Sequence, residues 1–94
     1  MTRVKARYGR KGYQIEAHYH AGSTESCVAV SAIIQALAGW VHNRHDGAIS
    51  LDKGEAIIAF GGDGAKAAMD LTVIGLLQIQ QAAPEDVSVE VEYE

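Results

Sequence analysis

Residues 19–43 read Tyr19-His20-Ala21-Gly22-Ser23-Thr24-Glu25-Ser26-Cys27-Val28-Ala29-Val30-Ser31, continuing AIIQALAGWVHN to Asn43, and this stretch decides the fold. Apolar residues at 27, 30, 34, 37 and 41 recur in steps of three and four, which places them on one stripe of an α-helix. The spacing predicts a helix between Ser23 and His42. Ser23 or Thr24 supplies an N-cap hydroxyl, and Gly22 permits a sharp turn out of the preceding segment. Cys27, the only thiol in the chain, then falls at the third or fourth helical position, beside the partial positive charge of the first turn. The polar segment from Asn43 to Gly47 closes the helix, with His42 and His45 placed to interact favourably with its C-terminal dipole.

Upstream, the period changes from 3.6 to 2. Arg3, Lys5 and Arg7 alternate with Val4, Ala6 and Tyr8. After a turn at Gly9 to Gly12, Gln14, Glu16, His18 and His20 alternate with Tyr13, Ile15, Ala17 and Tyr19, so the two runs predict a β-hairpin. Downstream, Ala48–Leu51 and Glu55–Phe60 flank Asp-Lys-Gly and predict a second hairpin with its glycine in the left-handed region. Asp63 is expected to N-cap a second helix from about Gly64 to Ala82, which Pro84 ends. In the last run Val87, Val89, Val91 and Tyr93 alternate with Glu90, Glu92 and Glu94. This final strand is expected to lie beside the first, in either direction, setting carboxylates against cations.

The order strand, strand, helix, strand pair, helix, strand implies an α+β fold. It is expected to be a two-layer sandwich with two helices packed on one face of a mainly antiparallel sheet, formed by residues 1–94 as a single domain. The second helix is apolar almost all round, through Met69, Leu71, Val73, Ile74, Leu76, Leu77 and Ile79. One sheet cannot cover all of that surface, so self-association is expected.

Composition narrows the function classes. The chain has 94 residues, 48% of them hydrophobic and 21% charged, as expected of a globular protein rather than a disordered one. Its net charge is −4, and the basic residues of the first strand are matched by acidic ones in the last, which argues against nucleic acid as a partner. A lone cysteine makes no intramolecular disulfide, no signal-peptide pattern opens the sequence, and the apolar runs are broken before the length of a membrane span. A cytoplasmic location with no membrane association is expected.

Chemistry centres on Cys27. A helix start lowers a thiol pKa, and a nearby histidine can hold or accept its proton; His20 precedes Cys27 by seven residues across a turn, and Ser31 lies one helical turn beyond it. The bland alternative is that Cys27 is one more core residue, since it shares the stripe of Val30, Ile34, Leu37 and Val41. His18 and His20 point the same way on a strand, but a zinc site would need further ligands drawn freely from the rest of the chain, so no metal is expected. The glycines around Asp63 match neither a P-loop nor a dinucleotide fingerprint, and no cofactor is expected.

His20-Ala21-Gly22 followed by Cys27-Val28-Ala29-Val30-Ser31-Ala32 resembles the signature of the ribosomal-processing cysteine proteases, a small bacterial family. Ile74-Gly75-Leu76-Leu77-Gln78-Ile79, Pro84 and the closing strand resemble that family's second helix and last strand. The resemblance implies a homodimeric endopeptidase that removes the N-terminal extension of a large-subunit ribosomal protein, with related processing of phage capsid and scaffold proteins. It further implies Cys27 as nucleophile, His20 as general base, and Ser31 and Gly22 in supporting roles. Its partner would be a peptide segment of a ribosomal or phage structural protein. One departure stands out: the family has a longer, glycine-containing loop with an aspartate just before the cysteine helix, whereas here only Ser23 to Ser26 intervene and Thr24 occupies the aspartate's place. A shortened variant of this kind suits a different peptide, as in a phage or prophage paralogue. The alternative is a catalytically inactive, dimeric peptide-binding module of the same fold.

Overall fold

The computed structural model describes residues 1–19, 25–45 and 47–94. Seven elements follow in the expected order: β1 (Thr2–Tyr8), β2 (Tyr13–His18), α1 (Glu25–Arg44), β3 (Gly47–Asp52), β4 (Glu55–Phe60), α2 (Ala65–Ala82) and β5 (Val87–Tyr93). The strands form one sheet in the order β3-β4-β2-β1-β5. Three neighbouring pairs are antiparallel and β1–β5 is parallel, which fixes the direction that alternation alone left open. The α+β arrangement of two helices against this sheet is the expected one.

The core is built from the two periodicities. Val4, Ala6, Ile15, Ala17, Ala56, Ile58, Phe60 and Val87 face inward from the strands and meet Val30, Ile34, Leu37 and Val41 of α1 and Met69, Val73 and Leu76 of α2. Full burial of side chains such as Ile15, Ile34, Ile58 and Leu76 stabilises the fold by about 1.5–3 kcal/mol each. Helix α1 contacts β3 and β4, and α2 contacts β2 and β5. At 20 residues α1 is long and apolar enough to cross a membrane by length and composition, contrary to the reading that the apolar runs are too short. Its apolar stripe is instead spent on the sheet. On the outer face Lys5 and Arg7 lie 3.7 and 3.6 Å from the Glu92 carboxylate, the expected opposition of cations and carboxylates.

Strand β2 ends at His18, one more bond in the same register runs from the Tyr19 N–H to the Gly54 carbonyl in the β3–β4 turn (2.9 Å), and His20, expected to continue the strand, lies outside the described residues. Two local expectations are corrected. Gly64, not Asp63, is the N-cap of α2, and no side chain caps it. Gly62 and Gly64 both have positive φ (87° and 81°), and this turn presents the Asp63 carbonyl to Arg44 Nη2 at 2.7 Å. At the end of α1 it is His45, with φ of 58°, that takes the left-handed position, its N–H reaching the Val41 carbonyl at 3.0 Å; Gly47 already belongs to β3.

Candidate functional site

Helix α1 begins at Glu25, so Cys27 is its third residue, in the turn where backbone N–H groups lack intrahelical acceptors and favour negative charge. Cys27 is only half-buried, whereas Val30, Ile34, Leu37 and Val41 on the same stripe are 0–3% exposed. The core therefore ends just before the thiol. Its sulfur lies 3.0 Å from Thr2 Oγ1, and Thr2 is fully buried. Thr2 is held by β1 and by its own N–H, which donates to the Asp86 carbonyl at 2.8 Å. The Asp86 carboxylate accepts a hydrogen bond from Ser26 Oγ at 3.3 Å, so the turn before β5 ties β1 to the start of α1.

Tyr19 completes the cluster. Burial pushes its phenol above the ordinary value; a hydrogen bond with Ser31 pulls it back, and negative charge at Cys27 pushes it up again. Tyr19 and Ser31 also line an open cleft of about 240 Å³ whose far wall is the β3–β4 hairpin at Asp52, Gly54 and Glu55. Ser31 Oγ in addition accepts from Gln35 Nε2 at 3.3 Å.

The structure thus gathers Cys27 and Ser31, one turn apart on α1, together with Tyr19. His20 and Gly22, along with the N-cap candidates Ser23 and Thr24, lie outside the described residues. The other histidines are elsewhere. His18 stands half-exposed on the outer face of the sheet, its ring nitrogens 3.2 and 3.4 Å from the Glu16 and Glu55 carboxylates. His42 and His45 sit near the far end of α1, upward of roughly 20 Å from Cys27 at a rise of 1.5 Å per residue. Among the described residues no group of three or more His, Cys, Asp and Glu side chains is arranged to hold a metal ion.

Sequence reading did not single out Thr2, Tyr19 or Asp86. Thr2 had a legible signal, being the polar residue on the inward parity of β1 with Val4 and Ala6. Tyr19 shares the inward parity of Ile15 and Ala17. Nothing local marks Asp86, whose role depends on β5 lying against β1.

A two-layer α+β fold with a half-buried cysteine in the first turn of a helix is the class that these observations define. Solved structures share the fold over nearly the whole chain. An essential ribosomal processing protease, Prp, from S. aureus in complex with a substrate peptide superimposes with a TM-score of 0.82 at 15% identity, covering 97% of this chain and 99% of that one. The same protease with a covalently linked product peptide gives 0.81 at 16% identity, with the same coverage. SMU.848 from Streptococcus mutans gives 0.78 at 18% identity, covering 100% of this chain and 96% of that one. No family model matches the sequence, and no curated protein matches it. The chain therefore has the Prp-like fold, established by structure at low sequence identity.

Proposed function

We propose that the protein is a cysteine endopeptidase acting as a homodimer in the cytoplasm, with Cys27 as nucleophile and His20 as general base. The observation that carries this reading is the half-buried Cys27 in the first turn of α1, grouped with Thr2, Tyr19 and Ser31 at the point where the apolar stripe ends. In the reaction His20 takes the thiol proton and the sulfur attacks the peptide carbonyl carbon. Backbone N–H groups at the start of α1 receive the developing oxyanion, and the amine leaves with a proton from His20. Water, deprotonated by His20, then hydrolyses the thioester and regenerates the thiol. His20 follows Tyr19 directly in the chain, and the Tyr19 side chain already belongs to the Cys27 cluster, which supports the pairing. Ser31 orients Tyr19 at the wall of the cleft, and Gly22 has the supporting role that the resemblance implies.

The substrate is a peptide segment of a ribosomal or phage structural protein, a reading supported by the fold shared with a ribosomal processing protease solved with peptides bound. The test uses candidate precursor peptides with the wild type, Cys27→Ala, Cys27→Ser and His20→Ala. Cleavage disappears in both Cys27 variants and falls roughly 10²–10⁴-fold in His20→Ala. A Cys27→Ala protein that cleaves at the wild-type rate sinks the proposal. A wild type that binds the peptide, with an affinity unchanged by Cys27→Ala and with no cleavage, selects the inactive binding module instead.

A further inference from the structure

We propose that Thr2 is a positioning residue for Cys27, its buried hydroxyl donating a hydrogen bond to the sulfur and favouring the thiolate. Thr2 is fully buried, and its Oγ1 lies 3.0 Å from Cys27 Sγ, a contact in which geometry alone allows either atom to donate. Chemistry decides the direction. Among the described residues Oγ1 has no other side-chain partner. If the thiol donated, the hydroxyl proton of Thr2 would be left in the protein interior without an acceptor. If Thr2 donates, the bond is weak to a thiol and strong to a thiolate, so ionisation of Cys27 strengthens it. A hydrogen bond that favours the charged form lowers the pKa of the group that accepts it.

The contact is built into the fold. Thr2 opens β1, pairs in register with Val87 of β5, and has its N–H on the Asp86 carbonyl. Asp86 also accepts from Ser26, the residue before Cys27. The hydroxyl and the sulfur are therefore held against one another from both sides by the same turn. Of the titratable groups on the elements packed here, Tyr19 from the segment after β2 interacts with Cys27, Asp86 from the turn before β5 bonds the neighbouring Ser26, Glu25 stands two residues earlier in the first turn of α1, and His20 lies outside the described residues.

The inference builds on Cys27 as the nucleophile, but its readout is the sulfur itself. Iodoacetamide alkylation of Cys27 is followed by mass spectrometry against pH for the folded wild type, Thr2→Val, Thr2→Ala and Thr2→Ser. Thr2→Val and Thr2→Ala raise the midpoint of the reactivity profile by roughly one pH unit, and Thr2→Ser returns it to the wild-type position. A purely structural role would alter stability without moving that midpoint. An unchanged midpoint in Thr2→Val overturns the inference, as does an equal shift in Thr2→Val and Thr2→Ser. Should Thr2→Val not fold, Thr2→Ala against Thr2→Ser decides in the same way. A wild type that shows the Thr2-dependent midpoint but cleaves no peptide refutes the protease reading and leaves the role of Thr2 standing. Cleavage with a Thr2-independent midpoint does the reverse.

Discussion

Tyr8 joins three elements through one side chain. Its hydroxyl donates to Asp70 Oδ1 of α2 at 2.7 Å, its ring stacks on Tyr93 of β5 at 5.0 Å and meets Tyr13 of β2 edge-on at 5.6 Å. Burial, then the Asp70 carboxylate, pushes the phenol far above its ordinary value of 10.0. Above that value the unfolded chain loses the proton while the folded one keeps it. The contribution of Tyr8 is thus complete below pH 10 and declines as pH rises toward the folded pKa. Asp70 behaves oppositely. Hydrogen bonds from Lys66 and Tyr8 hold its carboxyl below the ordinary 3.8, so its contribution is present above that pH and fades as pH falls below it. Melting temperature measured against pH is expected to decline on the alkaline side in the wild type and to lose that component in Tyr8→Phe. An unchanged alkaline limb in Tyr8→Phe would refute the assignment.

At the scale of elements, two glycines separate a close approach that cannot yield from one that can. A Cβ on Gly47, in the edge strand β3, would press on the Ala59 carbonyl oxygen, with Val41 Cγ1 at 2.9 Å behind it. Backbone and a packed helix residue have little freedom to move, so Gly47→Ala is expected to destabilise by about 1–3 kcal/mol. A Cβ on Gly75 of α2 would meet Ile33 Cδ1 at 2.9 Å, the far end of a flexible side chain on α1. The gain in helix propensity there, about 1 kcal/mol, offsets the adjustment, and Gly75→Ala is expected to be near neutral. Urea denaturation of both variants checks the contrast. Period and turn residues made the elements themselves readable to within two residues at most ends. The use of Gly47 was not readable, because it depends on β3 lying against β4 and under α1. At the opposite edge Gln80 Oε1 of α2 accepts from the Val89 N–H at 2.5 Å, occupying a backbone donor on β5 by a contact that no local pattern announces.

For the whole molecule, the surplus apolar surface of α2 has consequences. Leu71, Ile74 and Leu77 remain 73%, 53% and 38% exposed after the core is complete. Covering what remains exposed of such side chains gains about 1 kcal/mol or more each, which favours burying this face between two copies of the chain. Leu71→Glu with Ile74→Glu is expected to convert a dimer to a monomer in sedimentation analysis while leaving the helical circular dichroism intact. A wild type that is monomeric at high concentration would remove the homodimer from the proposal. The sheet's outer face, where Lys5 and Arg7 already face Glu92, offers little free positive charge to a polyanion.

The sequence by itself determined which segments are strands and helices, which residues face the core, and that Cys27 stands at a helix start. Those properties follow from alternation, 3.6-residue spacing and turn chemistry, which act over a few neighbouring residues. Only the tertiary structure decided that β5 runs parallel to β1, that glycine rather than Asp63 caps α2, and that the apolar stripe of α1 stops short of Cys27. It alone brought the Thr2 hydroxyl to the Cys27 sulfur across 25 residues of sequence. Contacts of that kind depend on how strands order in a sheet and how closely helices can lie on it, and no local pattern encodes either.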